Sequence, residues 1–378
     1  MKKTLIFDTT LSGHHLEYMH HLYVGAMDRH DEQFIFAVPG EEYARISSNF
    51  EWPEAKNVTM HFLTPQEISK VRDAKGIIAN GWESSKLAAK VVKETDCTDI
   101  LLIMLATFIP FLPWIIKKGV KISGIIYRIY LYNPKSGIRG WLDRLRYRQM
   151  ARSKSVKTVF ILNDEKGAKE LNRIYDTDKF RRLTDPVPAI NAENYHSLRN
   201  ELSIPDDDTV FLHFGAMDDR KGTLEILDAI AGLPKEKLEH KTFIFAGKVN
   251  KGIREKFYQL KKDAEENGAR IIVNDDFCAF DYLFNLCVTA DCILAPYKLT
   301  DLSSGVMGYA SMFSTPVIGP AKGLLGNLIR DNALGETIPE ITPTQISEKI
   351  IGFVPCTISD EYAKKNTIDR FTSEFLCS

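Results

Sequence analysis

The sequence predicts an α/β protein built from two doubly wound parallel sheets that follow one another along the chain. Three observations carry this expectation. Apolar runs of strand length alternate with amphipathic segments of helix length from end to end, the order that parallel sheets with crossover helices impose. Most of these runs are continuously apolar, as expected of strands covered by helices on both faces. They fall near 4–8, 34–38, 100–105, 122–127, 158–162, 210–214, 242–246, 270–273, 291–295 and 316–319, rather many for one sheet and comfortable for two. A length of 378 residues also suggests two domains.

The seam between the two series is legible. Asp185-Pro186-Val187-Pro188 closes the first, and the polar turn Ile204-Pro205-Asp206-Asp207-Asp208 leads into Val210-Phe211-Leu212-His213-Phe214. The expected domains are 1–190 and 205–340, with a boundary near 190–208. The tail, 341–378, is helical in pattern and expected to cross back to the first domain. In doubly wound sheets ligands gather beyond the carboxyl ends of the strands, in a cleft where two such domains face each other. The loops after strands are therefore where chemistry is sought.

Composition excludes several classes. Hydrophobic residues at 44% and charged residues at 26% are those of a globular protein, not of a disordered chain, a collagen or a coiled-coil rod. The most apolar stretch, Ile100 to Ile116, is interrupted by Pro110 and Pro113, so no membrane span is expected. A net charge of −1 gives no case for nucleic-acid binding. The six cysteines have neither disulfide-framework nor zinc-site spacing, and free thiols fit a reducing compartment. Lys2 and Lys3 precede only Leu5-Ile6-Phe7 before Asp8, too short a run for a signal peptide. A cytoplasmic location is expected.

Two loops carry phosphate-binding chemistry. Gly215-Ala216-Met217-Asp218-Asp219-Arg220-Lys221-Gly222-Thr223 leads from a strand into a helix, setting Arg220 and Lys221 beside free backbone N–H groups, as a diphosphate site requires. A solvated charged turn is the competing reading. After the strand at 291–295, Ser303-Ser304-Gly305-Val306 opens another helix, offering hydroxyls and unhindered amides to an anion or simply an N-cap.

On these loops, with Phe243-Ile244-Phe245-Ala246-Gly247, Ala290 to Pro296 and Ser314-Thr315-Pro316-Val317-Ile318, the sequence resembles the retaining nucleotide-sugar glycosyltransferases of the GT-B fold, the group-1 family. The resemblance covers most of 210–330. In the first half it is limited to the first loop, to Val159–Asn163 and to Asp185-Pro186-Val187. It implies two Rossmann-like domains facing across a cleft, with the donor nucleotide sugar in the C-terminal domain and a glycan or lipid-linked acceptor in the N-terminal one. The activity implied is sugar transfer with retention, in surface polysaccharide assembly. Lys221, Arg220 and Asp301 are then catalytic. Gly13, Gly215, Phe277, Ser303, Ser304, Gly305, Val306 and Tyr309 are then donor-binding. Neither a cofactor nor an obligatory metal is implied, since Lys221, Arg220 and loop amides neutralise the diphosphate.

The sequence also departs from the family. Of its two glutamates, the position of the first holds Asp301 and that of the second Tyr309, which cannot accept bidentately from a ribose diol. Ala216 stands where an arginine is frequent. Two alternatives therefore remain: a nucleotide-sugar epimerase of the same architecture, and a non-catalytic subunit that binds nucleotide sugar.

Two features lie outside the donor loops. The first loop, Thr9 to Tyr18, offers Gly13 and then His14 and His15, either of which could carry a proton or donate to the acceptor. His14 is taken as the catalytic candidate, and His20 and His21 as surface residues. Their spacing lacks a metal-binding pattern. Second, Lys117 to Lys157 contains twelve basic residues and one acidic, Asp143, so +11 is balanced by −12 elsewhere. Within it Ile138, Trp141, Leu142 and Leu145 form a helical stripe among Arg139, Arg144, Arg146, Arg148 and Arg152. Either the stripe packs on the sheet, or residues 138–152 lie on an anionic membrane. Phe108 to Trp114 could be an adjoining apolar contact for a lipid-linked acceptor, but is expected to be core.

Overall fold

The computed structural model describes residues 2–190 and 192–378. Two compact units divide the chain, Met1–Asp185 with Ile368–Ser378 and Pro186–Thr367. The first holds a seven-stranded sheet of β1 (Lys3–Phe7), β2 (Gln33–Pro39), β3 (Val58–Leu63), β4 (Asp99–Leu102), β5 (Lys121–Ile126), β6 (Val156–Leu162) and β7 (Phe180–Leu183), in the order β3-β2-β1-β4-β5-β6-β7. The second holds β8 (Thr209–Phe214), β9 (Lys241–Ala246), β10 (Arg270–Asn274), β11 (Cys292–Leu294), β12 (Val317–Pro320) and β13 (Gly335–Ile338), in the order β10-β9-β8-β11-β12-β13. Every strand pair is parallel. Both sheets reverse direction at their first strand, β1 or β8, which is where such sheets bind ligands.

Three strands escape the sequence reading, and all three are sheet edges: β3, β7 and β13. An edge strand is half solvated and carries polar residues that break up its apolar run. In β3 Thr59 and Phe62 are exposed, and β13 reads Gly-Glu-Thr-Ile. Central strands such as β8 and β9 are buried on both faces, with Phe211, Phe243 and Phe245 among the largest fully enclosed side chains.

Two readings are corrected, one of the basic segment and one of the apolar run before it. Helix Gly137–Arg152 does not lay its apolar stripe on the sheet. It buries Gly140, Tyr147, Met150 and Ala151, while Ile138, Trp141, Leu142 and Leu145 are exposed. At 100° per residue these two sets lie on opposite faces. The region from Phe108 to Trp114 is split: Phe108, Ile109 and Leu112 are buried, but Trp114 is 67% exposed.

The tail forms helices Pro343–Gly352, Glu361–Lys365 and Ile368–Leu376. The last packs on helix His14–Met27, with the Phe371 ring 4.9 Å from that of Tyr18. Gly25 permits the contact, since a Cβ there would lie 2.7 Å from Thr372 Cβ. Among the described residues no helix is long and apolar enough to cross a membrane.

Candidate functional site

In the second unit the chemistry gathers where β8 to β11 end. Past Phe214 the chain turns through Gly215 at φ 90°, a conformation that favours glycine. Gly247, at the end of β9, sits so close that a Cβ would lie 2.1 Å from the Gly215 carbonyl oxygen. Asp218 accepts from the Lys221 backbone N–H at 3.0 Å and shapes a single turn, Asp219–Lys221. Gly222 follows at φ 72°, where a Cβ would lie 2.2 Å from the Pro296 carbonyl oxygen. The Lys298 N–H donates to the Arg220 carbonyl at 2.9 Å, and its ammonium pairs with Asp219 and Glu225 at 2.7 and 2.8 Å. The first loop is thus joined to the start of the second, at Pro296 and Lys298.

Within this frame the two cations differ. The Arg220 guanidinium is paired with Asp218 at 3.2 Å. The Lys221 ammonium has no carboxylate within 4.0 Å among the described residues. It donates to the Phe214 carbonyl at 3.2 Å and lies 5.3 Å from the Tyr297 ring centre. A Cβ on Gly215 would come within 2.6 Å of its Nζ, so glycine makes room for the ammonium. A half-buried cation held by a neutral carbonyl is poised to accept an anion.

The second loop is plainer. Ser304 caps helix Gly305–Met312 by accepting from the Val306 N–H at 3.4 Å. Val306 and Asp301 are buried and Ser303 half-buried. A Cβ at Gly305 would meet only the edge of the Tyr309 ring, at 3.9 Å. Tyr309 packs between Phe214 and Phe284, at 5.8 and 5.6 Å between ring centres, so an aromatic contact occupies the position where the resemblance expects a second glutamate. Phe277 is 85% exposed on the loop after β10. Asp275 of that loop accepts from the Val249 N–H at 2.9 Å, tying it to the turn beside Gly215.

His213 was legible only as part of an apolar strand, yet it anchors this edge. It is buried, with Nδ1 2.8 Å from the Leu294 carbonyl oxygen and Nε2 2.9 Å from the Thr223 hydroxyl. The carbonyl can only accept, so Nδ1–H donates to it and Nε2 accepts from Thr223. Burial holds the imidazole down to about 4, against partial compensation by the Leu294 carbonyl. It fixes the helix start after Lys221 to β11.

In the first unit a separate cluster forms at the end of β1. Asp8 is buried; its Oδ1 accepts from the Thr10 N–H at 3.2 Å and its Oδ2 lies 2.5 Å from His15 Nδ1. Gly13, at φ 62°, precedes helix His14–Met27. His15 stands 6.3 Å from the Tyr127 ring, between ring centres. Burial pushes the Asp8 carboxyl up while His15 pulls it back, and that carboxyl raises the His15 imidazolium against its own burial. His14, the sequence candidate, is exposed beside Tyr18. The polar pairing belongs to His15, and Asp8 looked like no more than a strand end. His20 is not a surface residue: it stacks on Phe50 at 4.5 Å and meets Trp52 at 5.2 Å. His21 is half-buried beside Glu17.

Among the described residues, one set of metal-ligating groups comes together, Asp207, Asp208 and His240. It lies at the amino ends of β8 and β9, the edge opposite Lys221, and is occupied by internal pairing: His240 to Asp207 at 2.7 Å and Thr242 to Asp208 at 2.6 Å. Asp176 and Asp178, which stand in Asp-x-Asp spacing, precede the amino end of β7.

The fold of these two sheets is that of known structures. Anabaena HepE in complex with UDP aligns over 100% of this chain and 98% of its own, with a TM-score of 0.70 at 13% identity. WaaG, a glycosyltransferase involved in lipopolysaccharide biosynthesis, aligns over 98% and 95%, with a TM-score of 0.61 at 16% identity. The chain has the GT-B fold. An epimerase-type structure from Listeria monocytogenes, for UDP-N-acetylglucosamine, also aligns over 98% and 92%, at a TM-score of 0.56 and 11% identity. No family model matches the chain, and no curated protein matches it by sequence.

Two outcomes follow from the histidines. His213 titrates near 4 when folded and near 6.5 when unfolded, so the unfolded chain binds the extra proton between those values. Its stabilising effect is complete above about pH 6.5 and lost as pH falls toward 4, on the order of 3 kcal/mol. In denaturant titrations the stability gap between wild type and His213→Gln should narrow over that window; a constant gap contradicts the assignment. Removing the Asp8 charge should lower the His15 titration point. NMR titration of Asp8→Asn is expected to show this, and an unmoved His15 would place its raised affinity elsewhere.

Proposed function

We propose that this protein transfers a sugar from a nucleotide-diphosphate donor to a glycan or lipid-linked acceptor, with retention, in surface polysaccharide assembly. The observation that carries the reading is the Lys221 ammonium, held over Gly215 by a carbonyl and lacking a carboxylate partner. Support comes from the fold, since HepE has been captured with UDP-glucose. In this reading Lys221 binds the diphosphate and stabilises the charge that develops as it leaves. The N–H group of Gly305 and the hydroxyls of Ser303 and Ser304 complete the anion's surroundings, with Val306, whose N–H is held by the Ser304 cap, lining them, and Phe277 offers a ring to the base. Arg220, already paired with Asp218, acts chiefly by shaping the turn. Retention follows the resembled family, in which the leaving diphosphate assists deprotonation of the acceptor.

The first unit is assigned to the acceptor. Asp8 fixes the His15 ring with Nδ1 toward the carboxylate, leaving Nε2 to hydrogen-bond an acceptor hydroxyl. We place the protein at the inner face of an anionic membrane, through residues 138–152.

The epimerase reading has its own support in the Listeria likeness. A panel of nucleotide sugars, incubated with and without a lipid acceptor, separates the possibilities. Transfer releases nucleotide only with acceptor, epimerisation yields an isomerised sugar without one, and a binding subunit does neither. Lys221→Ala should weaken nucleotide-diphosphate binding by roughly 1.5–3 kcal/mol, the scale of a charge-assisted hydrogen bond. Unchanged binding by calorimetry would sink the assignment. At Gly305 an added Cβ meets only the Tyr309 ring, at an ordinary 3.9 Å, so Gly305→Val should fold while blocking the anion from the loop amides; normal affinity would remove this loop from the site. Transfer should survive EDTA, and loss restored by Mg²⁺ or Mn²⁺ would overturn the metal-free scheme.

A further inference from the structure

The exposed apolar surface of the first unit is wider than helix Gly137–Arg152. Helix Gly76–Thr95 begins with Ile77 and Ile78, which are 86% and 75% exposed, followed by Trp82. A first turn facing water ordinarily carries polar residues. Gly76, at φ 84°, turns the chain sharply out of helix Pro65–Asp73, and the Asn80 amide donates to the Val71 carbonyl at 2.8 Å. The two isoleucines are therefore held at a fixed corner. Trp82 meets Phe111 edge-on at 5.6 Å, and Phe111 meets Trp114 at 6.1 Å. Gly81 allows this approach, since a Cβ there would lie 2.7 Å from the Thr107 carbonyl oxygen.

This corner is continuous with the basic helix. Gln149 donates to the Pro110 carbonyl at 2.7 Å, and Arg146 donates to that of Ala106. Gln149 lies on the same helical face as Leu142 and Leu145. The segment bearing Trp114 therefore adjoins the end of the exposed stripe, and the three segments form one connected face.

We propose that Ile77, Ile78, Trp82 and Trp114 form a wedge that enters the acyl boundary of an anionic bilayer beside helix Gly137–Arg152. The inference rests on the reading of that helix as membrane-facing and adds a penetrating element to it. Charge selects the occupant. Arg139, Arg144, Arg148 and Arg152 flank the stripe, and the helix's one acidic residue, Asp143, faces Lys135 at 3.8 Å. A second copy docked on this face would set its arginines against ours. A nucleic acid could stack bases on the tryptophans, but it has no apolar layer in which to bury Ile77 and Ile78 together with the stripe of helix Gly137–Arg152. A bilayer with anionic headgroups answers both the phosphate-binding rim and the apolar centre.

The test is co-sedimentation of the full chain with vesicles of mixed phosphatidylglycerol and phosphatidylcholine, across a salt series. Wild type should bind, lose affinity with salt as the arginines are screened, and keep a residual affinity at high salt. Ile77→Ser/Ile78→Ser/Trp114→Ser should bind about tenfold more weakly and lose that residue, while keeping the salt dependence. Arg139→Glu/Arg144→Glu/Arg148→Glu should lose the salt-dependent part; Arg146 is left intact because it braces Ala106. Thermal unfolding of both variants should match wild type. In a Trp82→Phe/Trp141→Phe background, which leaves Trp52 and Trp114, brominated lipid should quench the fluorescence, and adding Trp114→Phe should abolish that quenching. If the serine variant binds as wild type does and Trp114 is not quenched, the wedge is overturned while the basic helix stands. If wild type never binds, or if this face instead mediates self-association, both readings fall.

Discussion

The proposed donor edge of this protein depends on where one ammonium group rests. Lys221 needs space over Gly215, a carbonyl to hold it and no carboxylate to neutralise it. The space exists because Gly215 has no side chain, and the Lys298 loop can close on the turn because Gly222 has none. The nearby acids are spoken for. Asp218 caps the turn and pairs with Arg220, while Asp219 and Glu225 hold Lys298. One cation is thereby left uncompensated among several that are paired. His213, kept neutral by burial, ties the following helix to β11 without adding a competing charge.

The sheets were largely legible because burial on both faces writes an unbroken apolar run into the sequence. β1, β2, β4, β5, β6, β8, β9, β11 and β12 have such runs, and the edge strand β10 keeps a short one, Ile271-Ile272-Val273; the edge strands β3, β7 and β13 do not, since an edge strand can answer to solvent on one side. Lys221, Arg220 and the Ser-Ser-Gly loop were legible from position after a strand. Their inequality was not, because it depends on which acids fold back onto which cations. Asp8 and His15 show the same limit: seven residues apart in sequence, they meet at 2.5 Å only because the chain turns at Gly13.

Helix Gly137–Arg152 shows what periodicity cannot decide. It carries one apolar stripe through Ile138, Trp141, Leu142 and Leu145, and a second face through Gly140, Tyr147, Met150 and Ala151. The inward face is chosen by fit. Tyr147 packs against Tyr130 and Phe180 at 5.0 and 6.0 Å, and Gly140 passes so near Lys135 that a Cβ would overlap its carbonyl. The bulky stripe is left outside between its arginines, the face proposed to meet a membrane.

The most direct test of the donor assignment is a crystal structure of the chain with the nucleotide diphosphate that binds best from a uridine, guanosine, adenosine and thymidine panel. The account predicts Lys221 Nζ at charge-assisted hydrogen-bond distance from a diphosphate oxygen, about 2.7–2.9 Å, with the phosphate over Gly215 and near the Gly305 N–H. A diphosphate bound elsewhere, with Lys221 still on the Phe214 carbonyl, would contradict it.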